Sequence, residues 1–308
     1  MDLSDKITAV HRMQAYIAAH LDSEITLEAL GAAAGYSKYY AARVFGALTG
    51  RAPFAYIRAL RLTRAAQALR DGGGGPVSTS PVIDTALDSG FGSHDGFTRA
   101  FAREFGLNPQ EYARNTPAVR YFVPYPVAYA HIFDEEAEPM HEEKVSKIVT
   151  VTAVERPARK LILQRARSAK DGGYWAFCEE MGCDSEGLLN SIPEKFDTWA
   201  LLTLPPGLVK PGTSNTAAGV EVPADYAKPI PEGCGVIDLP PCAMLYFRGM
   251  PYANEDDFCL AIGIVEEAAQ AYDPAPFGWR YAPELAPRFN FGASAETGAR
   301  AAVPVKAT

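Results

Sequence analysis

Gly35-Tyr36-Ser37-Lys38-Tyr39-Tyr40-Ala41-Ala42-Arg43-Val44-Phe45, with Gly50 and then Pro53-Phe54-Ala55-Tyr56 behind it, is the stretch on which the fold turns. Ser37 is of a type that caps helices, because its hydroxyl can accept from a free amide of the first turn. Behind it Ala41, Val44, Phe45 and Leu48 recur at i, i+3, i+4 and i+7 and lay one apolar stripe along a helix. Gly50 suits the left-handed residue that ends a helix, and Pro53 suits the first turn of the next. Working outward, helices are predicted over about Lys6 to His20, from Thr26 to Gly35, and from Pro53 to about Arg70. Asp71 to Pro81 (Asp-Gly-Gly-Gly-Gly-Pro-Val-Ser-Thr-Ser-Pro) cannot continue a helix and reads as a flexible loop.

The pattern then returns. At an offset of 56 residues Ser37, Arg43, Phe45, Gly50, Pro53 and Tyr56 are matched by Ser93, Arg99, Phe101, Gly106, Pro109 and Tyr112. The repeated residues are a cap, an exposed arginine, a core phenylalanine, a terminating glycine and the proline and tyrosine of the following helix, so one structural unit is used twice.

A short helix, a turn and a capped second helix make a helix-turn-helix. Its second helix lies in the DNA major groove, with residues near its amino end on the base edges. The candidate DNA contacts are therefore Ser37, Lys38, Tyr39, Tyr40, Ala42 and Arg43 in the first unit, with Arg51 beyond it, and Ser93, His94, Asp95, Thr98 and Arg99 in the second. Arg43 and Arg99 stand one turn into their helices, opposite the apolar stripe, where a guanidinium can take guanine O6 and N7 together. The helix-start amides with Ser37 and Ser93 suit phosphates. The alternative is a purely structural repeat whose arginines are solvated charges.

The net charge of −8 does not oppose DNA binding once it is divided along the chain. Residues 1–115 hold 12 Lys/Arg against 11 Asp/Glu, and the remainder 17 against 26. From Lys38 to Arg70 there are seven basic residues, Lys38, Arg43, Arg51, Arg58, Arg61, Arg64 and Arg70, and no acid, a stripe suited to phosphates.

At these residues the chain resembles the AraC/XylS family of bacterial regulators. Gly35-Tyr36-Ser37, Arg43-Val44-Phe45 and Gly50-x-x-Pro53-x-x-Tyr56 carry the likeness, together with Gly90-Phe91-Gly92-Ser93, Phe97-Thr98-Arg99-Ala100-Phe101 and Gly106-Leu107-Asn108-Pro109-Gln110-Glu111-Tyr112. The resemblance covers about residues 8 to 115 and implies two helix-turn-helix subdomains joined by the Pro53 to Arg70 helix, reading successive major grooves of double-stranded DNA. RNA polymerase is a further partner in that setting. Two departures from the pattern are a longer Gly-rich loop after Arg70 and Thr85 where an aliphatic residue is usual.

Beyond Thr116 the character changes. Residues 116–147, with Pro117, Pro124, Pro126 and an acidic run from Asp134 to Glu143, read as a linker. From Ile148 β-branched runs predict strands over Ile148–Val154, Lys160–Gln164, Ala218–Val222, Val236–Leu239, Met244–Phe247, Arg288–Phe291 and Ala301–Val305, with helices near Tyr174–Met181 and Glu255–Tyr272. The whole is read as multi-domain: an all-α double helix-turn-helix domain (1–115), a linker (116–147) and an α+β domain (148–308) expected to bury few charges. A fainter echo at an offset of 83 pairs Arg165 with Arg248 and Trp175 with Phe258 and suggests a duplicated strand-helix-strand unit.

The second half resembles GyrI-like effector-binding domains at Gly219-Val220-Glu221-Val222-Pro223, Pro231-Glu232-Gly233, Leu245-Tyr246-Phe247-Arg248-Gly249-Met250-Pro251-Tyr252 and Val303-Pro304-Val305. That resemblance implies a duplicated β-α-β-β fold, with a groove between two helices and the sheet that takes an amphipathic or aromatic small-molecule effector. The residues themselves offer Tyr174, Trp175, Trp199, Phe247, Tyr252, Trp279, Tyr281, Phe289 and Phe291 as an apolar lining, with Glu221 as an orienting polar group. Taken alone, each aromatic favours plain core packing over ligand contact. Where several relatives place a carboxylate in the last strand, Ala299-Arg300-Ala301-Ala302 offers Arg300.

Other classes are disfavoured. There is no G-x-S-x-G, no Walker loop and no dinucleotide fingerprint. All five histidines (His11, His20, His94, His131, His141) precede the second domain, which excludes a histidine triad inside it. The five cysteines (Cys178, Cys183, Cys234, Cys242, Cys259) form no C-x-x-C pair and have no histidine nearby, so they read as buried free thiols, with no zinc and no cofactor expected. Met1-Asp2-Leu3-Ser4-Asp5-Lys6 lacks the blocks of a signal peptide and no apolar run approaches a bilayer span of about 20 residues, so a cytoplasmic location is expected. The expectation is a non-enzymatic, ligand-responsive transcription regulator. Its rivals are a small-molecule hydrolase with Glu221 as base and a protein-interaction module without ligand.

Overall fold

A computed structural model describes residues 3–71, 91, 93–124, 145–167, 173–181 and 184–308. The expected Gly-rich loop from 72, Thr85 and the acidic run from Asp134 to Glu143 lie outside the described residues. The chain divides into two compact units, Met1–Glu138 and Pro139–Thr308.

The described helices of the first unit are α1 (Leu3–Ala19), α2 (Leu27–Ala34), α3 (Lys38–Thr49), α4 (Pro53–Asp71), α5 (His94–Phe105) and α6 (Pro109–Asn115). Thr26 caps α2 through its hydroxyl, which accepts from the Ala29 amide at 3.2 Å, and Ser93 caps α5 by accepting from Gly96 at 3.1 Å. Ser37 occupies the same place before α3 with an extended backbone, but its side chain makes no capping hydrogen bond. The predicted cap is thus a position and not a bond in the first unit. Gly31 allows the tight α2–α3 turn: a Cβ there would stand 3.0 Å from the Lys38 backbone and from the Tyr36 carbonyl oxygen.

α4 belongs to two cores. Its amino-terminal half gives Tyr56 and Ile57 to a cluster with Val10, Met13 and Ile17 of α1, Leu30 of α2 and Phe45 of α3. Its later residues Leu62, Ala65, Ala66 and Leu69 join Phe97 and Phe101 of α5 and Tyr112 of α6. A single helix with apolar residues along two successive stretches therefore carries both helix-turn-helix units on one rigid rod.

The residues after α6 differ from expectation. Thr116 turns the chain in the left-handed region (φ 41°), yet Val119 and Tyr121 are buried in the second core and Phe122 packs on the first. The first unit's ordered packing continues through residue 122, because Val119, Tyr121 and Phe122 give this segment apolar groups to bury.

Among the described residues, the second unit is one nine-stranded antiparallel sheet with helices α7 (Gly173–Met181), α8 (Asp184–Ser191) and α9 (Phe258–Ala271). Its strands are β1 (Val149–Arg156), β2 (Arg159–Arg165), β3 (Ala200–Thr203), β4 (Thr216–Pro223), β5 (Gly235–Leu239), β6 (Cys242–Gly249), β7 (Trp279–Tyr281), β8 (Arg288–Ser294) and β9 (Gly298–Ala307). The order is β1-β6-β9-β8-β3-β4-β2-β5, with β7 beside β9. Outward from the central β3–β8 pair, each side meets the last strand, the second strand and the first strand of a like unit. β2, helices, β3 and β4 on one side mirror β6, α9, β8 and β9 on the other.

β1 does not pair with β2, which follows it after two residues; it pairs with β6, and β5 pairs with β2. Pro157 and Pro240 sit at the matched connections, 83 residues apart, and a proline there keeps the two strands from folding into a hairpin. β3, β7 and α8 were not foreseen: β3 and β7 are four and three residues long, and α8 holds Gly187 in its middle.

Leu245 and Phe247 of β6 face α9 with Ala261, Val265, Ala299 and Ala301, while the alternate Met244 and Tyr246 face a second cluster with Leu161, Leu163, Leu202 and Phe289. In that second cluster's plane lies a charge pair that the expectation of few buried charges missed. Arg159, 1% exposed, donates to the Glu221 carboxylate, to the carbonyls of Pro157 (3.3 Å) and Pro240 (2.8 Å) and towards the Cys242 sulfur (3.4 Å). It ties the two proline connections together. Of the described thiols only Cys242 is buried; Cys178, Cys234 and Cys259 are half-buried, unlike the buried set expected.

Candidate nucleic-acid interface

The turn between α2 and α3 sets the amino end of α3 outward while Ala41, Val44 and Phe45 hold its inner face in the core. Tyr39 is 74% exposed, Arg43 is exposed, and Lys38, Tyr40 and Ala42 are half-buried. The Arg43 guanidinium lies over the Tyr40 ring at 5.0 Å and has no ion pair among the described residues. Lys38 is paired with Glu28 of α2 and lies over Tyr39, 5.3 Å from the ring. The carboxyl of Glu28 is held below its ordinary value, first by that hydrogen bond.

α5 repeats the frame with other chemistry. Phe97 and Phe101 are fully buried, and Ser93, His94, Asp95 and Arg99 are exposed. Arg99 occupies the place of Arg43, likewise without an ion pair among the described residues. Asp95, with His94 at 3.8 Å, brings an acid to the amino end of α5 where α3 has none. The Thr98 hydroxyl oxygen is buried without a hydrogen-bond partner among the described residues, unlike the exposed contact expected of it.

The basic stripe of α4 is largely used within the fold. Arg61 donates to the carbonyls of Leu21 (2.9 Å) and Ser23 (2.6 Å), Arg64 pairs with Asp22, and Arg70 pairs with Asp71. The guanidinium of Arg51 lies 4.6 Å from the Phe122 ring, with Glu104 of α5 at 3.7 Å. Of the seven stripe residues, Arg43 and Arg58 are the ones whose side chains make neither an ion pair nor a hydrogen bond among the described residues. The stripe's arginines fasten the α1–α2 turn to α4, which sequence spacing alone did not reveal.

These features have counterparts in known proteins. A helix-turn-helix domain family matches residues 30–115. The regulatory protein SoxS of Salmonella typhimurium is 35% identical over 97 residues, which are 32% of this chain and 85% of SoxS. The chain belongs to the AraC/XylS family. The transcriptional regulator Rob of Salmonella typhimurium is 38% identical over 112 residues, 36% of this chain; the match spans 37% of Rob's length. Among solved structures, a probable AraC family transcriptional regulator from Rhodopseudomonas palustris is 32% identical, with 34% of this chain covering 94% of that one at a TM-score of 0.31. Each match reaches only about a third of this AraC/XylS member.

In the second unit the expected ligand residues do not converge. Phe247 is fully buried, Tyr252 is 9% exposed and Trp279 packs with them in the α9 cluster. Tyr281 is 37% exposed, and its hydroxyl donates to the Tyr272 carbonyl at 2.7 Å. Arg300 is on the other face, held by Asp197 (3.1 Å) and Thr198 (3.1 Å), over the Phe291 ring at 5.0 Å. Glu221 is 6% exposed and taken by Arg159, with Arg156 at 3.7 Å, so its carboxylate is engaged within the fold. Tyr174 lies on α7, 6.0 Å from the Trp199 ring; Trp175 is on the same helix.

One residue the sequence did not single out joins that pair. Glu186 of α8 has its carboxyl pushed up by burial, offset in part by a hydrogen bond from Trp199. Nothing in a short polar-looking run, Asp184-Ser185-Glu186-Gly187, marks it in advance. A separate surface depression of about 610 Å³ is lined by Leu204, Pro206, Val209, Lys210, Thr213 and Asn215 and by none of the expected ligand residues. Among the described residues no group of acids, cysteines and histidines is placed to hold a metal, and no helix is long and apolar enough to cross a membrane.

Proposed function

We propose that this chain is a sequence-specific DNA-binding transcription regulator that sets α3 and α5 in successive major grooves and answers to a small molecule held by its second unit. The observation that carries the first part is the matched pair Arg43 and Arg99. Each stands six residues past its cap, exposed, without an ion pair among the described residues, on a helix whose other face is locked in a core. Such guanidiniums can take guanine O6 and N7 together. Ser37, Lys38, Tyr39, Tyr40, Ala42, Ser93, His94 and Asp95 surround them, and Arg58 is placed for phosphate.

The domains are taken as 1–122 for DNA, a linker beyond, and 148–308 for the effector. The second reading is supported by the mirrored order of strands about β3–β8, which agrees with the duplicated β-α-β-β arrangement that the resemblance to GyrI-like effector domains implies. The best-supplied place for an amphipathic ligand is the vicinity of Tyr174, Trp199 and Glu186, where aromatic rings and one half-buried acceptor meet. With Glu221 neutralised by Arg159, a hydrolytic role for it loses its base. Binding of a ligand there would bias DNA affinity or contact with RNA polymerase. Selection of bound sites from a random DNA pool tests the first part, with an enriched site expected and none refuting it. A thermal-shift screen of amphipathic compounds on the full chain tests the second.

A further inference from the structure

Residues 117–122 lie past the helix-turn-helix match, which ends at 115, yet they touch both cores of the first unit. Tyr121 enters the second core: its hydroxyl is 2.8 Å from that of Tyr112 and its ring is 6.5 Å from Phe105 of α5. Phe122 enters the first. Its ring meets Tyr56 edge-on at 5.0 Å, and Tyr56 meets Phe45 of α3 at 5.1 Å. The Phe122 amide donates to the Thr63 hydroxyl of α4 at 2.8 Å, at the junction of the two cores. Over the Phe122 ring lies Arg51, from the α3–α4 turn, which also reaches Glu104 of α5.

Two adjacent side chains thus pack into the cores on the two halves of one rod, and each is linked through rings to a reading helix. We infer that residues 117–122 are a clasp, with Phe122 and Tyr121 as positioning residues that fix the angle and separation of α3 and α5 and so set which spacing of two DNA half-sites the protein accepts. The inference rests on the two-groove reading above. Without the clasp, α4 alone joins the halves and each half still reads its own groove. With it, the second helix is presented at a high effective concentration only when its half-site falls in register.

The experiment uses the full chain and duplexes carrying the site recovered by selection, with one base pair inserted or removed between the half-sites, plus a duplex with the first half-site alone. The wild type is expected to lose about tenfold or more in affinity per base pair of misplacement, as a stiffly held second module should. Phe122→Ala is expected to flatten that dependence to roughly threefold or less while binding the half-site duplex within about twofold of wild type. Phe122→Tyr, which keeps the ring, should restore the sharp optimum. Phe122→Leu, which fills the space without the ring contacts, serves if the alanine variant does not fold and should flatten the curve partway. Folded variants with the wild-type spacing curve, or equal losses on both duplexes, would overturn the clasp and leave two-groove reading intact. A wild type that selects no two-part site would overturn both.

Discussion

The two units handle charge in opposite ways. In the first, the arginines that face the surface of α3 and α5 stay exposed, and Arg61 and Arg64 of α4 are fastened at its flank to the α1–α2 turn. In the second, Arg159 is withdrawn from water altogether and held by Glu221, two carbonyls and a sulfur. An exposed arginine is dispensable to the fold and available to a partner; a buried one is part of the fold and available to nothing. Glu221, a candidate from sequence for chemistry or ligand, belongs to the second class for that reason.

The largest effect that would break this contrast is on stability. Glu221→Ala leaves the Arg159 guanidinium buried without its counter-charge, and removing one partner of such a pair costs about 3–5 kcal/mol. Denaturant unfolding of the full chain should show the second unit losing that much; a loss under about 1 kcal/mol, as for an exposed pair, would place Glu221 among the available residues after all.

Next in size is Arg43→Ala, which should leave unfolding unchanged and weaken specific DNA binding by about 1–3 kcal/mol with relaxed preference at one base pair. Arg99→Ala should fall at or below the lower end of that range, because Asp95 sets an acid against the phosphates at the start of α5. Titration of labelled duplexes measures both, and a larger loss at Arg99 would reverse the ranking of the two helices. Smaller still, Arg58→Ala should weaken binding to all sequences alike and reduce the slope of log affinity against log salt by about 1. An unchanged slope would remove Arg58 from the phosphate contacts.

The smallest effect concerns pH. The carboxyl of Glu186 is raised by burial, so the folded state holds its proton more tightly than the unfolded chain. Its contribution favours folding below the unfolded carboxyl range and is lost as pH climbs through the raised folded value. Glu186→Gln should therefore be more stable than wild type at neutral pH, with the gain vanishing in acid. A gain that persists at low pH would mean packing, not ionisation, is the cause.

The same contrast explains what could be read from sequence. Helices α2 to α6 follow from caps, terminating glycines and a repeat at fixed offset, all local signals within a dozen residues, and the place of Arg43 and Arg99 follows with them. Ser37 shows the limit even there, since residue type gave the position of the cap but not its bond. In the second unit the decisive pairings are remote: Thr150 lies opposite Arg248 and Arg159 beside Glu221. No periodicity in β1 announces that it will skip β2 and pair with β6. The aromatics chosen by type alone were scattered between a core cluster and the opposite face, and Glu186, in a short helix interrupted by glycine, carried no signal. Residues 117–122 read as linker in the sequence because proline and arginine obscure an apolar triplet, Val119, Tyr121 and Phe122, whose value appears only when α4 is placed beneath it.

The central claim is that two helices of one chain read two grooves through matched arginines. Selection from a random DNA pool with wild type, Arg43→Ala and Arg99→Ala tests it most directly. The account predicts a site of two unlike parts about one helical turn, roughly 34 Å, apart, with no palindrome, and with each variant losing preference in a different part. No enriched site, or a site whose base preferences survive both substitutions unchanged, would contradict it.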